Sequence, residues 1–147
     1  MIDQFTEWLE KIHPELEKTG LILATRLDSE PEALIDDILE IEAQNARIGE
    51  LRAIADSWLD RGKLYFLPSK EEGLSEGERR AVVDDKVRDI RRVRDILESY
   101  QDAIKHRITL GQSILAYERQ FIERNQRSSA DFLKPIKSLR DVLGKPE

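Results

Sequence analysis

From Glu76 to Arg127 the chain contains no proline, and its apolar residues recur at steps of three and four. Val83, Val87, Ile90, Leu97, Ile104, Ile108, Gly111, Leu115 and Ile122 form one row, with Arg94, Gln101 and Glu118 at the missing steps. Beside it runs a second row of Val93, Ile96, Tyr100, Ala103, Leu110, Ile114, Tyr117 and Phe121. That spacing fits a helix, because a strand would alternate with a period of two. At 1.5 Å per residue the helix is about 80 Å long, well beyond the diameter of a small domain. Two adjacent rows make an apolar face wider than a two-stranded coiled-coil seam. The helix therefore needs more than one partner.

The residues before it supply candidates. Asp28-Ser29-Glu30-Pro31-Glu32 reads as a helix start: Ser29 can cap, Pro31 suits the first turn, and Glu32 can reach back. One pattern then continues to Phe66 through Leu34, Ile35, Ile38, Ile41, Ile48, Leu51, Ile54, Ala55, Trp58, Leu59 and Tyr65. Leu67-Pro68-Ser69 breaks it, since proline lacks an N–H and restricts the residue before it. Lys70-Glu71-Glu72-Gly73 reads as an exposed turn, and Ser75 with Glu78 as a capping box.

A short turn between two long amphipathic helices predicts an antiparallel, coiled-coil-like hairpin. Pairing Phe66 with Glu76 sets Gly49 near Val93 and Pro31 near Gly111. It also leaves the longer helix extending by roughly 15 residues, so that Gln112 to Arg127 needs cover. Pro14 divides the N-terminus into two short helices, Asp3–Ile12 and about Pro14–Leu27, whose Phe5, Trp8 and Leu9 could supply it. After Arg127, two prolines and one weak apolar pattern (Phe132, Leu133, Ile136, Leu139, Val142, Leu143) suggest a short helix on a mobile tail. The expectation is an all-α fold with one helical domain over 1–127. Its N-terminal helices occupy 1–28, its hairpin helices 29–66 and 75–127, and 128–147 is a tail.

Chemistry is mostly excluded. There is no cysteine among the 147 residues, which removes disulfides, thiol catalysis and cysteine-ligated zinc. No apolar run approaches the roughly 20 residues of a membrane span. The N-terminus carries acids where a secretory signal needs bases, which reads as cytoplasmic. Asp36-Asp37-x-x-Glu40, with Glu42, resembles the first carboxylate cluster of the all-α nucleotide pyrophosphohydrolases, but the second Glu-x-x-Asp on a later helix is missing. Asp102 and His106 could share a metal, yet nothing completes the set. His13, before Pro14, reads as structural. Ser128-Ser129 has no base nearby in sequence. No cofactor or metal site is expected, and the chain is not expected to be an enzyme.

What remains points to binding. Residues 1–74 hold 17 acids against 8 bases, whereas residues 75–127 hold 10 against 12. Lys86, Arg88, Arg91, Arg92 and Arg94 crowd two turns, interleaved with Asp84, Asp85, Asp89, Asp95 and Glu98. Such mixing favours ion pairs along one helix, and no aromatic row accompanies the bases for stacking on nucleic acid. Arg88, Arg91 and Arg92 are still the candidate contacts to a partner or to nucleic acid. Arg94, on the inner seam, is expected to pair across the hairpin near Ile48 and Glu50. Val93, Ile96 and Tyr100, beside that seam, are the candidate self-association row, which predicts a homo-oligomer.

Two stretches carry a resemblance. Leu74-Ser75-Glu76-x-Glu78-Arg79-Arg80-Ala81 opens the long helix, and Arg107-Ile108-x-x-x-Gln112-Ser113-Ile114-Leu115-Ala116-Tyr117-Glu118-Arg119 lies toward its end. Together they resemble small helical accessory proteins of tailed bacteriophages, often encoded beside recombination and single-strand annealing functions. The resemblance covers about half the chain and implies a non-enzymatic accessory in phage DNA metabolism, working in a bacterial host's cytoplasm. It transfers no site residue. Two other readings stand beside it: a direct nucleic-acid binder using the basic stretch, and an inhibitor of a host nuclease or defence system whose acidic first half imitates nucleic acid.

Overall fold

Two long helices dominate the molecule. In the computed structural model, which describes residues 1–28 and 30–143 with side chains up to Arg127, α1 spans Ile2–Ala24 and α2 spans Pro31–Tyr65. A single 3-10 turn at Lys70–Glu72 leads to α3, Glu76–Lys86, and α4, Arg88–Leu143. Among the described residues there is no strand, so the fold is all-α. α2 and α4 lie antiparallel and make most of the interhelical contact, which is the expected hairpin.

The turn forms as its residues dictate. Ser69 Oγ accepts the Glu71 N–H at 3.2 Å, and Gly73 takes the left-handed φ of 69° that ends the 3-10 turn. The capping box is complete: Glu78 N–H donates to Ser75 Oγ at 3.3 Å, and Ser75 N–H donates to Glu78 Oε2 at 2.7 Å. The start of α2 differs. Ser29, the expected cap, lies outside the described residues. Glu30 is the N-cap with no side-chain cap bond of its own, and Asp28 Oδ1 takes the Glu30 N–H at 2.9 Å.

The hairpin register departs from expectation by about two helical turns. Gly49 faces Gln101 rather than Val93, and Gly111 faces Ile38 rather than Pro31. The connection does not close directly. Arg79 donates to the Pro68 carbonyl from Nε at 3.2 Å and Nη2 at 2.8 Å, drawing the loop against α3. Pairing with α2 becomes core packing only from Val83, which joins Trp58 and Leu59. Small residues then fix the match. A Cβ on Gly111 would stand 2.8 Å from Ile38 Cγ1 and Cδ1, and one on Gly62 would stand 3.0 Å from Val87 Cγ1. Each glycine is therefore a hole for one bulky side chain of the facing helix.

Three further expectations change. The long helix is interrupted at Val87, at φ −98° and ψ 6°, so α3 and α4 are separate segments joined by this one residue. Val87 is fully buried against the end of α2, and packing there, not proline or glycine, marks the break. The N-terminus is one helix, not two, with Pro14 inside it. Pro14 lies on the exposed face, where the carbonyl it leaves unbonded can meet water, while Phe5, Ile12 and Thr19 are buried on both sides of it. The backbone of α4 also continues past Arg127 to Leu143, where a separate tail helix was expected. Proline removes one helix bond without having to end the helix, and Pro135 lies within this run. Residues 144–147 of the expected tail lie outside the described ones.

α1 fills the groove of the hairpin's turn-proximal half, not the far end where cover was expected. Phe5 meets the Trp58 ring edge-on at 6.0 Å, Glu15 pairs with Arg47, and Thr19 Oγ1 donates to Gln44 at 3.1 Å. These partners descend along α2, so α1 runs antiparallel to it. Two clusters form the core: Phe5, Trp58, Leu59, Val83, Val87 and Ile90 near the turn, then Ile12, Ile41, Ile48, Leu51, Ala55, Leu97 and Ile104. Burying each such large side chain contributes about 1.5–3 kcal/mol relative to exposure.

Candidate functional site

The basic stretch of α4 is largely occupied by its own acids. Arg88 pairs with Asp85, and Arg91 Nη2 lies 2.7 Å from Asp84 Oδ1. Arg92 is exposed and forms no ion pair among the described residues. Arg94 does reach across the hairpin, but to Asp56, at 3.6 Å, not to the region of Ile48 and Glu50, because of the displaced register. It also approaches Asp95 and Glu98. Arg52 completes this network, donating to Glu98 and Gln101 at 2.8 Å each. The Arg94 Nε is buried close to carboxylates without a well-aligned hydrogen bond. These bases tie α2 to α4, and what faces outward is a shallow stripe of Arg88, Arg91, Arg92, Asp95 and Ile96.

The row expected to drive self-association is divided. Val93 and Tyr100 are half-buried against the core, which α1 helps to form, and the Tyr100 hydroxyl sits against Gly20. Ile96 alone is exposed.

The cover that α1 provides stops at Arg107. There Arg107 Nη2 donates to the Leu23 carbonyl at 2.5 Å, a cation on the last turn of α1. It satisfies an orphan carbonyl and suits the negative end of the helix dipole. Beyond this point α2 and α4 continue as a pair. Their core face is closed, with Leu34 and Gly111 buried. Around it stand Ile35, Leu39, Leu110, Tyr117, Phe121 and Ile122, all exposed, with Leu39 at 57%, Tyr117 at 66% and Phe121 at 52%. Pro31 and Ile35 of α2 border a groove with Leu115, Arg119 and Ile122 of α4. α2 therefore begins beside Arg119, and α4 overhangs from there. The sequence identified the apolar residues at this end of α4, but it assigned Phe5, Trp8 and Leu9 to cover them. Ile35 and Leu39 were visible only as members of the α2 pattern. A few apolar side chains, such as Leu64, Tyr65 and Leu67, are also exposed around the connection.

The charges of this distal arm are separated. Residues 27–46 contain seven acids and no base, whereas residues 105–127 contain five Lys or Arg and two acids. Among the described residues none of those seven acids forms an ion pair, and neither do Arg119, Arg124 and Arg127. Asp37 accepts the Asp28 N–H at 3.1 Å, its one hydrogen bond among the described residues.

The remaining candidates do not assemble. His13 is exposed in mid-helix, 3.7 Å from Glu17, and not at a helix boundary. Asp102 and His106 are both exposed, and His106 borders a cleft with Arg26, Leu27, Asp28 and Arg107. Among the described residues no group of three or more His, Asp or Glu is placed to hold a metal ion, the Asp36 cluster included. No described helix is long and apolar enough to cross a membrane. The chain matches no protein-family model, and no curated protein or solved structure is significantly similar to it.

Proposed function

We propose that the chain is a non-enzymatic helical interaction protein, acting through its distal arm as an accessory to DNA recombination or replication. The carrying observation is the exposed apolar set Ile35, Leu39, Tyr117, Phe121 and Ile122, left where α1 no longer covers the hairpin. Exposed large apolar side chains gathered at one end of a molecule are characteristic of sites that meet another protein. The setting in phage DNA metabolism rests on the resemblance of residues 74–81 and 107–119 alone. Direct nucleic-acid binding through Arg88, Arg91 and Arg92 is disfavoured, since Asp85 and Asp84 already neutralise two of them. The inhibitor reading keeps one supporting observation, the acids of residues 27–46, which form no ion pair among the described residues.

A photo-cross-linking residue at Tyr117, in cells that express the chain, tests this reading. Protein adducts at 117, absent when the probe stands at exposed Glu10, are the expected outcome. Adducts to nucleic acid alone, no adducts, or a magnesium-dependent hydrolysis of nucleotides would contradict it.

A further inference from the structure

We infer that the occupant of the distal arm is a second copy of this chain, packed antiparallel about a two-fold axis near Arg119. The inference rests on the interaction reading above and names the partner.

Three observations converge. First, the arm carries both halves of a complementary pair. α2 begins beside Arg119, so beyond it α4 presents Phe121 and Ile122 with no facing helix among the described residues, while the groove of Pro31, Ile35 and Leu115 lies open just before it. An isologous contact brings the same patch of both copies together, so each overhang can fill the other's groove. For both to be covered at once, the axis must pass where the overhang starts. Second, the charges fit that direction. Antiparallel α4 helices crossing at Arg119 bring residues 124–127 of one copy over the region of Gly111 in the other, which Ile38 of α2 faces. Arg124 and Arg127 then approach the acids of α2, among them Glu32, Asp36 and Glu42. Among the described residues neither set has an ion-pair partner. A parallel arrangement would place acids beside acids and arginines beside arginines. Third, the pairing completes the layer architecture. Two helices from each copy make a four-helix bundle, which buries a face that a helix pair leaves wet.

The chain has no cysteine, so a single introduced thiol gives a clean test. Arg119→Cys, treated with a short bis-maleimide, is expected to yield covalent dimer, while Glu10→Cys on the three-helix half stays monomeric. Sedimentation of the unmodified chain should give twice the 17.1 kDa mass at micromolar concentration. Phe121→Glu with Ile122→Glu should weaken the dimer by at least about 30-fold, with helicity unchanged by circular dichroism. Arg124→Glu with Arg127→Glu should also weaken it, and mixing that variant with Glu32→Lys/Asp36→Lys should restore a heterodimer. A monomer at tens of micromolar would overturn the inference, as would equal cross-linking at Glu10→Cys or an undiminished dimer in the double-glutamate variant. A monomer whose Tyr117 probe captures a different protein overturns this inference and leaves the interaction reading in place. No protein adduct at 117 overturns both.

Discussion

The same two helices behave differently along their length. From the turn to about Arg107, α2 and α4 are joined by α1, and the seam residues Ile48, Leu51, Leu97 and Ile104 are inaccessible. From Arg107 outward the pair continues without a third helix among the described residues, and large apolar side chains on its flanks are exposed. The amphipathic pattern barely changes across the boundary; what changes is the number of neighbours. A face two rows wide needs two partners, and among the described residues only the first half of the hairpin has them. The contrast teaches that the length of α1 divides the molecule into a closed core and an arm.

Substitution can break that contrast most sharply through burial. Leu97→Ala, in the closed half, should destabilise by about 2–5 kcal/mol, because it removes buried methyl groups and leaves a cavity. Leu39→Ala, in the arm, should stay within about 0.5 kcal/mol in the monomer. Urea unfolding of each variant at low concentration checks both. Gly111→Ala forces a Cβ to 2.8 Å from Ile38 and should cost about 1–3 kcal/mol. Gly77→Ala, with nothing within 4 Å, should be neutral or slightly stabilising. Ser75→Ala removes the accepting half of the capping box and should cost about 1 kcal/mol by thermal unfolding.

The smallest effect concerns acid. The hydrogen bonds from Arg47 hold the Glu15 carboxyl below its ordinary value, with burial opposing. A carboxyl depressed in the folded state contributes stability that is full above its unfolded pKa and is lost as pH falls through the folded one. Glu15 tethers α1 to α2, so Glu15→Gln should lower stability slightly at neutral pH. It should also flatten the loss of stability below about pH 4.5. Because the pair is exposed and screened, the change should be small. Unfolding midpoints between neutral pH and the acid range measure it.

Much of the fold was legible. The α2 and α4 periodicities, the break at Leu67-Pro68 and the Ser75–Glu78 box each rest on signals within a few residues, and local chemistry decided them. The register was not, because it depends on Gly62 and Gly111 meeting Val87 and Ile38 across the hairpin, a pairing no local pattern encodes. Pro14 misled for the same reason. Its helix-breaking tendency is local, whereas the packing of Phe5, Ile12 and Thr19 on either side is tertiary and prevails. The path of α1 follows from that register, so the candidate site moved with it: Val93 and Tyr100 went under cover, and Tyr117 and Phe121 stayed out. The acidic run of residues 27–46 was present in the sequence but diluted when charge was summed over residues 1–74.

Hydrogen exchange along α4, recorded at two protein concentrations, tests the division into core and arm most directly. Amides from Ile90 to Ile108 should already be protected near the global unfolding free energy in dilute solution. Amides from Gln112 to Arg127 should exchange faster in dilute solution and slow as concentration rises and the arm is covered. Uniform, concentration-independent protection from Ile90 through Arg127 would contradict the account.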